Sequence, residues 1–140
     1  VDWEGSTITR DVKIRKAQLK DTVSIRKVAR ITWRATYQEL IPIKIQNQFL
    51  NVAYSDRNMK LRIDQTLFFV AEQEGEIVGF ANATIKKDDA ELSAIYVLPE
   101  LQGHSIGSRL LQSVLSNLDH AGQLVVDVES GNQIGERFYH

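Results

Sequence analysis

Apolar and polar positions change their period several times along the chain, and each change marks an element. Asp11 to Gln18 reads as a first strand. Asp21 follows as a helix N-cap, and Ile25, Val28, Ala29 and Trp33 then recur at helical spacing on one side. A second helical stretch, Ile41 to Leu50, has Ile43, Ile45, Phe49 and Leu50 as its apolar positions, and a weaker one runs from Ser55 to Asp64. The period then drops to two. Leu67 to Ala71 and Glu76 to Lys86 predict paired strands about the hairpin-type turn Gln73-Glu74-Gly75. Lys87-Asp88-Asp89 turns the chain into a third strand, Ala90 to Val97, which Pro99 stops. Ile106, Leu110, Leu111, Val114, Leu115 and Leu118 restore helical spacing with one buried face. Gln123 to Glu129 predicts another strand, and Asn132 opens a last helix.

The predicted order is therefore strand, helices, three strands, helix, strand, helix, with no internal repeat or linker. A strand–helix–strand crossover in the second half implies a local parallel pair inside a mostly antiparallel sheet flanked by helices. This is an α/β fold of the α+β type, a single domain over residues 1–140. Hydrophobic residues make up 43% and charged residues 25% of the 140, enough to bury a core without disulfide or metal staples. A net charge of −1 argues against a dedicated nucleic-acid binder. The chain has no cysteine, which removes thiol catalysis and thiolate metal sites and fits a reducing compartment. No run of about 18 apolar residues is present to span a membrane, and Val1 to Ser6 is polar and acidic rather than signal-like. A cytoplasmic protein is the expectation. Its three histidines are scattered without metal-ligand spacing, so no metal is expected.

The stretch richest in chemistry is Gln102-Gly103-His104-Ser105-Ile106-Gly107, between the third predicted strand of the hairpin series and an amphipathic helix. A polar, glycine-containing turn that opens a helix presents unpaired N–H groups at the positive end of the helix dipole. Phosphate suits such a site best. The run V-x-P followed by Q-x-x-S-x-G-S-R-L-L resembles the acetyl-CoA pyrophosphate loop of the GNAT (Gcn5-related) N-acetyltransferases, usually Q/R-x-x-G-x-G/A. Gln102 and Gly107 match, whereas Ser105 stands at the first glycine position. Serine there either re-aims the loop, lacking glycine's conformational freedom, or caps the helix through its hydroxyl. Thr32 to Pro42 looks like the family's W-x-x-T/A-Y-x-x-L-I/L-P stretch. Asn132 with Phe138-Tyr139 resembles its N-x-x-A-x-x-F-Y segment, Gly135 replacing the alanine. Relatives continue past F-Y with further strands, and the chain ends at His140, so an edge of the acceptor site is expected to be absent.

The resemblance implies transfer of an acetyl group from acetyl-CoA to a primary amine by direct aminolysis, which needs no covalent enzyme intermediate. It implies that Gln102, with backbone N–H groups of Gly103, His104, Ser105, Ile106, Gly107 and Ser108, holds the pyrophosphate, His104 or Arg109 adding positive charge. Ile95, Tyr96 and Val97 would pair with the pantetheine arm, Val97 N–H would face the oxyanion, and Asn132 would contact the arm. Tyr139 would protonate the leaving thiolate. Glu91 or Asp127 would accept the amine's proton, and strict alternation places Glu91, Ser93, Ile95 and Val97 on one face. Trp33, Tyr37 and Glu39 fall where relatives shape the acceptor pocket. Aromatic walls with Glu39, Glu91, Asp127 and Glu129 would suit a cation such as a polyamine. Peptide N-termini, lysine side chains, amino acids and amino-sugars stay open, and core packing alone also accounts for Trp33 and Tyr37. A module that binds acyl-CoA without chemistry is the alternative. An exposed sheet edge would serve a homodimer.

Overall fold

The computed structural model describes residues 11–87 and 89–118, and the backbone of 123–126 and 136–139. Strand β1 (Val12–Lys16) leads through a 3-10 turn at Leu19–Asp21 into α1 (Thr22–Tyr37), α2 (Ile43–Ala53) and α3 (Asp56–Gln65). The meander β2 (Leu67–Gln73), β3 (Glu76–Lys86) and β4 (Asp89–Val97) follows, then a 3-10 turn at Pro99–Leu101, α4 (Ile106–Ser116), β5 (Gln123–Val126) and β6 (Glu136–Tyr139). The six strands form one sheet in chain order. All neighbours are antiparallel except β4 and β5, which pair in parallel as the crossover requires. The β2–β3 turn carries Glu74 and Gly75 at φ 51° and 82°, the primed geometry that matches strand twist.

The two faces of the sheet are filled differently. Alanines at 71, 81, 83 and 90 flatten one face, so that Ile106, Leu110 and Val114 of α4, all fully buried, press closely onto it. Each such side chain stabilises the fold by roughly 1.5–3 kcal/mol. The other face is aromatic: Phe68 and Phe80 meet Trp33 and Ile25 of α1, Met59 of α3 and Tyr54. Here Asp21 departs from its expected role. It stands at the N-cap of α1 without a side-chain cap bond, because its carboxylate accepts from Gln18 N at 2.7 Å and from Arg15 Nη1 and Nη2 at 2.9 and 3.0 Å.

Two further expectations change. In α2 the buried positions are Gln46 and Leu50, while Ile43, Ile45 and Phe49 are about half exposed. Gln46 turns inward because its Nε2 donates to the carbonyls of Tyr37 and Ile41, at 3.2 and 2.8 Å, where α1 ends. Residues 136–139 form a strand rather than part of a helix, antiparallel to β5. An unpaired β5 edge and the β-favouring Phe138-Tyr139 pair satisfy one another there.

Candidate active site

Three parts of the fold converge at the end of β4. The first is the loop into α4. Gly103 has φ 88° and Ser105 φ 69° and ψ 2°, both left-handed. An N-cap hydroxyl reaches back to the first-turn amides only from extended backbone, so Ser105 makes no cap bond and the capping alternative fails. Its carbonyl instead starts the helix by accepting from Arg109 N at 3.0 Å. The amides of Ile106, Gly107 and Ser108 thus have no intrahelical acceptor and, among the described residues, no other backbone one at the positive helix end. A Cβ on Gly107 would touch only Ile95 Cδ1, at 3.9 Å. The protein's own packing therefore does not demand glycine there, whereas a phosphate drawn close to the backbone would. This donor set fits a pyrophosphate.

The second part is a strand edge. Pairing of β4 with β5 covers Ala90, Leu92 and Glu91 between them, while β4 itself continues to Val97. Leu98 N donates to Val78 O at 2.9 Å across to β3. N–H directions alternate along a strand, so the Ile95 and Val97 amides point to the opposite side, where β5 pairs only as far as Leu92 and no other described strand lies. Val97 C=O, directed the same way, accepts from Gln102 Nε2 at 3.0 Å, which fixes the strand end against the loop.

The third part is a cavity on the α1 side of β4. The β3–β4 register shifts between Asn82 and Ala83, which pair with Ala94 and Leu92, so Ser93 is an inserted bulge residue. The bulge reverses the phase of the strand. Ala90, Leu92, Ile95 and Val97 pack toward α4, whereas Ala94 and Tyr96 pack toward α1. Glu91 therefore lies on the face opposite Ile95 and Val97, against the simple alternation. Ser93, Ala94 and Tyr96 form the floor of a cavity of about 200 Å³ whose walls are Trp33, Phe49, Ala53, Tyr54 and Arg62. Trp33 Nε1 donates to Tyr96 Oη at 2.8 Å, and its ring stacks on Phe49 with centroids 4.8 Å apart. Burial pushes the Tyr96 phenol far above its ordinary pKa, and burial likewise raises Tyr54 against the opposing pull of Arg62. Both phenols stay protonated at neutral pH.

Residues 26–140 match the acetyltransferase (GNAT) family. The chain belongs to the GNAT family. It is 37% identical over 105 residues to the uncharacterized N-acetyltransferase YuaI of Bacillus subtilis, which covers 71% of this chain and 60% of that relative. It is 26% identical over 137 residues to the spermidine N(1)-acetyltransferase of Thermoplasma acidophilum, covering 92% of this chain and 85% of the relative. The crystal structure of the PaiA N-acetyltransferase of Thermoplasma acidophilum in complex with coenzyme A superposes with a TM-score of 0.70 at 25% identity, over 82% of this chain and 79% of that one.

Within this GNAT domain the structure gathers Ile95, Val97, Gln102 and the loop from Gly103 to Ser108 at one end of the sheet. The Tyr96 side chain belongs to the cavity on the other face. Trp33 lines that cavity, and Tyr37 stands behind it with ring centroids 4.9 Å from Trp33. Glu39 is exposed on the turn after α1 and does not line it. Glu91 is ion-paired with Lys86, its Oε1 2.8 Å from Lys86 Nζ, at the end of β4 still joined to β5. The Tyr139 backbone pairs with Gln123, at the start of β5, and its side chain lies outside the described residues, as do Asp127, Glu129 and Asn132. His104 is partly exposed, and Arg109 lines a groove with Lys13 of β1. Among the described residues no His, Asp or Glu cluster could hold a metal ion, and no helix is long and apolar enough to cross a membrane.

The sequence assigned no site role to Phe49, Tyr54, Arg62, Ser93 or Ala94. One signal was available: Asn82 interrupts the apolar run Ile77 to Ala83, and a buried amide requires partners. Its Oδ1 accepts from Arg62 Nε at 3.0 Å, which ties α3 to the cavity wall.

Proposed function

We propose that this chain transfers the acetyl group of acetyl-CoA to the primary amine of a small molecule. One observation carries the reading: the edge of β4 that β5 leaves unpaired lies between uncapped α4 amides and an aromatic cavity floored by Ser93, Ala94 and Tyr96. Bound acetyl-CoA supplies an activated thioester. The α4 amides hold its pyrophosphate, the Ile95 and Val97 edge holds the extended arm, and Val97 N–H faces the charge that develops on the carbonyl oxygen. The cavity presents the amine from the α1 side. As its nitrogen bonds to the acetyl carbon, the carbon–sulfur bond breaks and the sulfur leaves as a thiolate.

Two protons must move. The family resemblance assigns one to Tyr139, whose backbone pairs with Gln123 at the Ala90 end of β4 rather than the Val97 end, so that proton too would reach the thiolate through water. The amine's proton leaves through water, with Glu91 on the same face of β4 or Asp127 beyond β5 as the terminal acceptor. Glu91 stands four strand residues from Ile95, about 13 Å, so direct contact is out of reach.

A polyamine acceptor is a second reading, favoured by the spermidine N(1)-acetyltransferase relative. Of the carboxylates counted toward it, Glu39 is exposed away from the cavity and Glu91 is neutralised by Lys86.

The test is release of CoA thiol from acetyl-CoA across a broad amine panel, beside a calorimetric titration of acetyl-CoA. Binding with turnover supports the proposal. Binding without turnover on any amine would make the chain an acyl-CoA-binding module, and no binding would end both. Tyr139→Phe should bind acetyl-CoA normally and turn over much more slowly; an unchanged rate removes Tyr139 from the mechanism.

A further inference from the structure

Building on the acetyl-transfer reading, we infer that the acceptor carries a carboxylate beside its amine, and that Arg62 selects it. Among the described residues Arg62 is the one charged residue that lines the cavity, and no Asp or Glu does. The guanidinium lies over the Tyr54 ring at 4.5 Å and over Phe68 at 5.3 Å. Its Nε donates to Asn82 Oδ1 at 3.0 Å and its Nη1 to Ala53 O at 2.9 Å. Both acceptors are neutral, and no carboxylate forms an ion pair with it among the described residues. Arg62 also makes a side-chain hydrogen bond to Tyr54, which, of the five N–H groups of a guanidinium, still leaves donors spare.

The side chain is held for this position. Asn82 is 2% exposed, and its Nδ2 is taken by Thr66 Oγ1 at 2.7 Å and Leu67 O at 2.9 Å. Its oxygen is thereby oriented to Arg62, which has few other places to go. A planar fork fixed on aromatic faces, with spare N–H donors and no counter-ion, is suited to a carboxylate. The same charge disfavours a polycation in so small a space. A volume of about 200 Å³ also falls below the usual range for drug-sized ligands of roughly 300–1,000 Å³, which points to a compact acceptor. An amino acid or similar amino-carboxylate has the required chemistry: carboxylate on Arg62, amine toward Ser93 and Ala94.

The experiment pairs each amino acid with its own primary amide, which keeps the amine and removes the negative charge, and adds spermidine. CoA release and thermal shift of the acetyl-CoA-saturated protein are both read. The expected result is a preference of roughly tenfold to hundredfold in kcat/KM for an acid over its matched amide. That preference should disappear in Arg62→Gln, with acetyl-CoA affinity unchanged. Arg62→Lys, which keeps the charge but loses the fork, should retain part of it. Should Arg62→Gln fail to fold, the acid–amide comparison on the wild-type chain decides alone. Spermidine or amides turning over as well as acids would overturn the inference and leave acetyl transfer standing. Acetyl-CoA binding with no carboxylate-dependent response in either assay would also overturn it, whereas absent acetyl-CoA binding would defeat the underlying reading instead.

Discussion

Replacing Gly107 by alanine should raise the stability of the free protein and weaken its hold on acetyl-CoA. The new Cβ meets only Ile95 Cδ1 at 3.9 Å, an ordinary contact, so the free fold suffers no clash. Glycine in a helix is about 0.5–1 kcal/mol worse than alanine. For a domain of this length, unfolding entropy near 2.1 cal/mol/K per residue converts that gain to roughly 2–3 °C in Tm. In the complex, the methyl group stands off a phosphate from the first-turn amides. Loss of one charge-assisted hydrogen bond costs about 1.5–3 kcal/mol, a tenfold to hundredfold rise in Kd. At acetyl-CoA equal to about 100 times the wild-type Kd, ligand stabilises wild type by about 2.7 kcal/mol. A tenfold weaker variant would retain about 1.4 kcal/mol by the same relation. The order of the two melting temperatures should therefore invert on adding ligand. Thermal unfolding by circular dichroism with and without acetyl-CoA reads both effects, and calorimetry supplies Kd. Full retention of affinity by a stabilised variant would refute the close approach of phosphate to Gly107.

Three more outcomes follow from the geometry. Ser55 caps α3 by accepting from Asn58 N at 3.2 Å, whereas Ser105 caps nothing; Ser55→Ala should cost about 1 kcal/mol and Ser105→Ala nearly none in denaturant unfolding. A Cβ on Gly79 would lie 2.9 Å from the Tyr96 carbonyl and 3.3 Å from Val97 Cγ2, so Gly79→Ala should cost about 1–3 kcal/mol and lower kcat/KM by displacing the end of β4. An unchanged Tm would contradict that placement. Burial pushes the Asp21 carboxyl up, but Arg15 and the Gln18 amide outweigh it and hold the pKa below 3.8. A group with its folded pKa depressed stabilises above its unfolded value and loses that contribution as pH falls through the folded one. Asp21→Asn should thus lower stability by about 1–3 kcal/mol at neutral pH, with the difference from wild type shrinking only below about pH 4. A gap that stays constant to pH 2.5 would sink the assignment.

The order of elements through β5, the parallel crossover and the loop into α4 were legible because each leaves a local mark. Period changes separate the strands from the helices, and the spacing of Gln102 and Gly107 marks the loop. The cavity was not legible in the same way. Ser93 looks like one more strand residue until β3 is set beside β4, because a bulge is a property of the pair. Missing it carried Glu91 onto the wrong face. Arg62 sat in a weakly amphipathic stretch and gained its place through partners distant in the chain, Asn82 twenty residues later and Ala53 nine before it. Phe49 was read as a core position, yet it remains about half exposed because Gln46 took the inward direction to satisfy the end of α1. Tertiary hydrogen bonding overrode the apolar pattern in both cases.

The phase reversal at Ser93 divides labour within a single strand. Beyond it, β4 offers its main chain along one edge and the side chains of Ala94 and Tyr96 on one face. Main-chain groups are the same whatever residue bears them, so acceptor preference can drift by substitution while the geometry that meets the shared co-substrate is inherited intact. If the cavity takes the acceptor as proposed, evolvability of its preference is thus built into the strand. By this logic, grafting cavity residues among relatives should transfer choice of acceptor without retuning the affinity for coenzyme A.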